Sequence, residues 1–319
     1  MTALHKLTHF PLRTLAAALA LTAAVPAAAQ AVRPKEPIYG VTLDDLSHLK
    51  KTIASLKALP YRPTVRVVFD PGTSIDYYHR KLTKLHRVAY VMGEVLDSYY
   101  FPTTLADYKA RTQGLVNGLG DVVDVWEIAN EINGEWLRKN PNGSNATVNA
   151  EETEIGQMVS AANDIVKAAG GLTAVTLYYN NDNKGTNCWQ KTQDNWRTWP
   201  TTFLPNSVLM DTDYAFFSYY PYKDCPNLSP SWSDDFHALE TMFPNAKVGF
   251  GEVGTSSKGA PWSVQSDILT TYYTMINTLN DPKYIGGGFW WNYAEQMVPY
   301  TTNYWQLLDD TMIGLPQPK

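Results

Sequence analysis

Residues 125–131 read Val125-Trp126-Glu127-Ile128-Ala129-Asn130-Glu131, an apolar, β-prone run that closes on a polar pair. A run this short and this apolar fits a strand covered on both faces, as in a parallel sheet. The design returns at 247–252, where Lys247-Val248-Gly249-Phe250-Gly251-Glu252 again ends on a glutamate. Residues 38–43, 64–70, 88–96, 172–180, 214–222 and 285–293 repeat the pattern, which makes eight strand signals with 125–131 and 247–255.

Amphipathic stretches separate them. Leu46, Leu49, Ile53 and Leu56 recur at helical spacing within 46–59, and further helices are predicted over 105–119, 151–169, 234–242 and 262–279. The one over 151–169 opens on acidic residues suited to a helix N-terminus. Strands alternating with helices predict parallel pairing through right-handed crossovers. Eight such units without a Pro/Ser linker predict an α/β fold, a single (β/α)8 TIM barrel. An open doubly wound sheet would carry a Gly-rich phosphate loop after its first strand, and none is present. Gly286, Gly287 and Gly288 lie inside the last strand run and read as a bulge or close packing.

Lys6 and Arg13 precede an apolar run over 15–25, followed by small residues at Ala27, Ala29 and Ala31. This is the layout of a secretory signal peptide. The expectation is a signal segment over 1–29, cut after Ala29 or equally well after Ala31, and a catalytic domain over 30–319. The protein would then be secreted or periplasmic. No later run of about 20 apolar residues offers a membrane span. A net charge of -5 suits phosphate backbones poorly, so nucleic acid is not an expected partner.

Twenty Tyr and ten Trp exceed what a core of this size needs, which fits either ordinary packing or stacking on sugar rings. Cys188 and Cys225 are the only cysteines, and in an exported chain such a pair is expected to bond. Closing a loop of that length stabilises by up to about 4 kcal/mol. None of His48, His79, His86 and His237 ends a strand run, and no metal or cofactor is expected.

In such barrels the chemistry sits where strands end at their C-terminal side, which singles out Glu131 and Glu252 on the fourth and seventh strands. The strings Trp-Glu-Ile-Ala-Asn130-Glu131 and Gly-Phe-Gly-Glu252-Val-Gly-Thr, so placed, resemble the clan of (β/α)8 retaining glycoside hydrolases that includes cellulases, β-mannanases and endo-β-galactanases. The resemblance implies that Glu131 is the acid/base, that Glu252 is the nucleophile, and that Asn130 bonds the sugar hydroxyl beside the reacting carbon. Retention needs one carboxyl to protonate the leaving oxygen and a second, roughly 5 to 5.5 Å away, to attack. Their proton affinities must also be pushed apart.

Arg66 is a cation inside the apolar 64–70 run and needs a partner. The clan's arginine at this strand holds the nucleophile; the bare residues also allow pairing with Glu127 or Asp70. The clan places a nucleophile-contacting tyrosine on strand six, which is Tyr220 or Tyr219, because strand alternation turns only one inward. Its stacking tryptophan on strand eight is Trp290 or Trp291, for the same reason. Glu127 reads as a buried structural partner. Glu94, Asp97 and Glu295 either line subsites or are solvated. Loops over 181–205 and 223–232 are expected to form one wall of the cleft, stapled if the cysteines pair.

This chain departs from the clan at Ile132, where many relatives have Pro, on strand three, where many carry His, and at Ser218, where many again have His. The implied activity is hydrolysis of a β-linked polysaccharide or oligosaccharide by a monomer. A catalytically silent carbohydrate-binding relative and a transglycosylase remain the alternatives.

Overall fold

The computed structural model describes residues 32–319 except 189–190, 223–224 and 256–258. The expected signal segment lies outside the described residues. All eight apolar runs form strands: β1 (Ile38–Leu43), β2 (Thr64–Val68), β3 (Tyr90–Glu94), β4 (Val125–Ala129), β5 (Leu172–Tyr178), β6 (Tyr214–Tyr219), β7 (Lys247–Val253) and β8 (Gly286–Trp290). They pair in parallel in chain order, and β8 returns to β1 to close the barrel. Around them run α1 (Leu49–Ala58), α2 (Ile75–Leu85), α3 (Leu105–Leu119), α4 (Asn145–Ala168), α5 (Trp199–Phe203), α6 (Asn206–Asp211), α7 (Trp232–Met242), α8 (Trp262–Thr274), α9 (Tyr293–Gln296) and α10 (Asn303–Ile313). The architecture is the single (β/α)8 barrel that the sequence predicts.

Most strands stop one to three residues before the apolar run does. β4 ends at Ala129, β6 at Tyr219 and β8 at Trp290. The residues that follow, Asn130, Glu131, Tyr220 and Trp291, have left the ladder to line the barrel mouth. One helix start differs because its cap decides it. α4 begins at Asn145 rather than 151, since the Ser144 hydroxyl accepts the Thr147 N–H and starts the helix ahead of the acidic residues. α8 ends at Thr274 and tightens into a 3-10 turn over Met275–Asn277. The sequence reading misses α2 and α10, which bury Tyr78, Leu82 and Leu85, and Trp305, Leu308 and Met312.

The barrel interior is layered. Its lower part is apolar, with Ile38, Met92, Val125, Phe216 and Phe289 packed together. Above this layer lie Arg66, Glu94 and Glu127, all buried. The glycine run in β8 allows the barrel to close. Gly287 has φ 94°, and a Cβ there would lie 2.1 Å from the Phe250 carbonyl oxygen. The β1·β8 register shifts at this point, so the reading as a bulge with close packing holds.

Much of the aromatic surplus is core. Tyr179, Trp196, Phe217, Tyr219, Trp232 and Phe250 pack ring to ring on the outer side of β5 to β7. Among the described residues no helix is long and apolar enough to cross a membrane.

Candidate active site

Glu131 and Glu252 share one cleft of about 800 Å³ at the C-terminal mouth of the barrel. Asp70, Asp97, Asn130, Tyr220 and Trp291 line it with them. Glu131 has φ 48°, in the left-handed region that non-glycine residues seldom occupy, just beyond a register shift between β4 and β5. Backbone strain of this kind persists only where the surroundings enforce it, and it turns the carboxyl into the cleft.

Glu252 is held by charge. Arg66 Nη1 lies 2.9 Å from its Oε2, and the Tyr220 hydroxyl donates to its Oε1. The same guanidinium donates through Nε to Glu127 Oε2 at 2.6 Å and lies 3.2 Å from Glu94 through Nη2. Arg66 therefore both contacts the candidate nucleophile and has a structural partner in Glu127, which also accepts the Thr176 hydroxyl at 2.5 Å. Asp70 is not that partner; it lines the cleft and accepts the Tyr100 hydroxyl at 3.2 Å. Glu94 corrects another expectation, since it neither lines a subsite nor meets solvent. It is fully buried at the end of β3, opposite Val68 in register, with its carboxyl 3.2 Å from Arg66 Nη2. Asp97 lines the cleft, and Glu295 is exposed on α9.

Three carboxyls thus face one guanidinium. Burial pulls the Arg66 pKa down, but Glu127, Glu94 and Glu252 outweigh it and raise it further. Burial pushes Glu94 and Glu252 above the usual carboxylate range, with Arg66 opposing in both cases. Hydrogen bonds separate the two. Neither Glu94 oxygen has a hydrogen-bond donor among the described residues, whereas Glu252 has the Tyr220 hydroxyl. Glu94 is therefore the one of the two that holds a proton more readily, with the Arg66 cation opposing.

Glu131 is held without charge. Its Oε1 accepts the Ser218 hydroxyl at 2.5 Å, and its Oε2 accepts the Ser98 hydroxyl at 3.1 Å. Burial pushes its pKa up to about 7; the two serine hydroxyls and Arg66 pull the other way, and Asp97 adds to the rise. Glu131 and Glu252 titrate as a pair, and the ion pair with Arg66 belongs to Glu252, so the proton they share rests on Glu131.

The parity ambiguities resolve. Tyr220 faces the cleft, while Tyr219 packs against Tyr179, Trp232 and Tyr272. Trp290 is buried and donates its indole N–H to Gln296, while Trp291 lines the cleft with the Arg66 guanidinium 5.5 Å from its ring centre. Asn130 Oδ1 accepts the Ser98 backbone N–H at 2.9 Å, which fixes the amide and leaves Nδ2 buried beside the cleft without a hydrogen-bond partner among the described residues.

Cys188 and Cys225 form a disulfide. The loops it joins do not line the cleft as expected: no described residue of either is among the lining residues. Buried polar bonds draw the 181–205 segment outward into its own packing. Asn133 donates to the Tyr178 and Asp194 carbonyls, and Arg138 binds both Glu152 and Asp194. Trp196 and Trp199 are fully buried there. Sequence reading missed Ser98, Asn133 and Arg138; only Ser98, one residue past Asp97 at a strand end, gave any local signal.

No protein-family model matches the chain, and no curated protein matches it. Solved structures do. A GH5-4 broad-specificity endoglucanase from an uncultured bacterium aligns over 85% of this chain and 86% of its own, with TM-score 0.57 and 12% identity. A glycoside hydrolase family 5 enzyme from Prevotella bryantii B14 aligns over 89% and 99%, with TM-score 0.56 and 12% identity. Bacteroides uniformis β-glucuronidase matches at TM-score 0.55 and 11% identity over 82% of this chain, which spans about a third (31%) of that longer one. At these identities the likeness is one of fold. The chain is built on the same (β/α)8 barrel as these glycoside hydrolases.

Proposed function

We propose that the protein is a retaining glycoside hydrolase acting on a β-linked glycan. The observation that carries this reading is the unlike treatment of two carboxyls in one cleft: Glu252 meets a cation and a phenol, and the hydrogen bonds to Glu131 from the described residues come from hydroxyls. In the first step Glu131 gives its proton to the glycosidic oxygen as Glu252 bonds to the sugar carbon. In the second, Glu131 takes a proton from water as the water oxygen displaces Glu252. Asn130 Nδ2 donates to the hydroxyl oxygen next to the reacting carbon, and Trp291 supplies a face for the sugar ring. Arg66 and Tyr220 keep Glu252 ionised and aimed. Export to the periplasm or beyond belongs to the same reading and rests on the N-terminal segment.

A panel of β-glucans, β-mannans, β-xylans and β-galactans tests the activity, and no hydrolysis across the panel overturns it. A 2-fluoro glycoside inactivator should label Glu252 in peptide mapping; a label on another residue overturns the assignment. Proton NMR of the first-formed product should show the β-anomer.

A further inference from the structure

Among the described residues, the hydrogen bonds to the Glu131 carboxyl come from two serines on opposite sides of β4. Ser218 reaches it from β6 and Ser98 from the 3-10 turn Ser98–Tyr100 that follows β3. Both serines are buried. Ser98 is fixed twice, because its backbone N–H also donates to Asn130 Oδ1. The charged and titratable groups that face Glu131 come from four directions: Asp97 beside Ser98, Arg66 on β2, Tyr220 after β6 and Glu252 on β7. None of these four makes a hydrogen bond to its carboxyl.

We infer that Ser98 and Ser218 are positioning residues that act as a neutral hydroxyl clamp, setting the proton affinity of Glu131 so that one carboxyl serves both halves of the reaction. The inference rests on the glycosidase reading for its purpose, though its physical content does not. A hydroxyl has one proton and two lone pairs. Facing a carboxylate it donates; facing a carboxylic acid it turns about its Cβ–Oγ bond and accepts or lets go. A cation in its place would lock Glu131 ionised, and an apolar wall would lock it neutral.

In the first step the Glu131 proton passes to the leaving oxygen as the glycosidic C–O bond breaks and the bond from Glu252 forms. The new carboxylate is then met by both serine hydroxyls. In the second step Glu131 removes a proton from water, the water oxygen bonds the sugar carbon, and the bond to Glu252 breaks. The clamp changes no net charge in either direction, so it favours neither state by more than ordinary hydrogen bonds do.

The test titrates Glu131 directly in the full-length protein labelled with 13C at the glutamate δ-carbon, its resonance identified by its loss in Glu131→Gln. Ser218→Ala, Ser98→Ala and the double variant should each raise the titration midpoint. The larger single effect is a roughly tenfold gain in proton affinity, and Ser218→Thr should restore the wild-type midpoint. An unchanged midpoint in Ser98→Ala and in the double variant overturns the clamp. If Ser218→Ala does not fold, an unmoved midpoint in Ser98→Ala alone overturns it, as does a Ser218→Thr protein that titrates far from wild type. The titration needs no substrate: a protein that hydrolyses nothing defeats the glycosidase reading and leaves this measurement standing. In an active enzyme the alkaline limb of kcat/KM should move up with the midpoint, which a merely structural serine would not cause.

Discussion

Arg66 and Glu252 stand 2.9 Å apart at the floor of the cleft, and that single guanidinium also serves Glu127 and Glu94. A planar fork with donors in three directions is what such sharing needs; an ammonium cannot reproduce it. Arg66→Lys should therefore fold but lose kcat/KM on the order of 10²–10³-fold. Arg66→Ala should be destabilised by about 3–5 kcal/mol, because buried carboxylates lose their cation. Steady-state kinetics and denaturant melts read both effects, and near wild-type kinetics for the lysine variant would contradict this role.

Burial favours the protonated form of Glu94, so an isosteric neutral group there changes little. Glu94→Gln should keep kcat/KM within a few fold and stability within about 1 kcal/mol. Glu127→Gln, which removes a charge bonded to Arg66 and Thr176, should lose more of both. Equal losses in the two variants would place a charge on Glu94.

Glu131 must carry a proton to act as the acid, and its pKa is pushed up to about 7. Activity should therefore fall as pH rises through about 7. A profile of kcat/KM from pH 4 to 9 checks this, and an alkaline limb that persists unchanged in Ser98 and Ser218 variants would implicate another group.

Stability should show the same carboxyl with its own sign. The folded protein holds a proton on Glu131 from the ordinary value of 4.5 up to about 7, where the unfolded chain has lost it. The folded state binds more protons in that window, so this group's stabilising contribution is complete below it and lost as pH rises through it. Glu131→Gln should melt higher than the wild type at pH 8 by up to about 3 kcal/mol, and nearly together with it at pH 4. Scanning calorimetry at the two pH values decides the point.

The barrel and its two glutamates were legible because they are local: each strand is a short apolar run, and each glutamate closes one. Which tyrosine or tryptophan of a pair turns inward was not legible, since Tyr219 and Tyr220, or Trp290 and Trp291, differ only by a register that the neighbouring strands set. Ser98, Asn133 and Arg138 stayed hidden for a related reason. Their partners lie 33, 45 and 14 residues away, and apart from the place of Ser98 beside Asp97 at a strand end, nothing in their own surroundings distinguishes them from surface polar residues. The cap at Ser144 was legible in principle; the acidic residues farther on masked it.

The apolar layer of Ile38, Met92, Phe216 and Phe289 closes the barrel below the charged residues, which makes the interior a well with its mouth at the cleft. Arg66 is sealed beneath it, and water can reach Glu252 only at the carboxyl's edge, through that mouth. A sugar seated against Trp291 would act as a stopper. The attraction between guanidinium and carboxylate would then strengthen as the local dielectric falls, so that occupancy itself switches on the field under which Glu252 reacts.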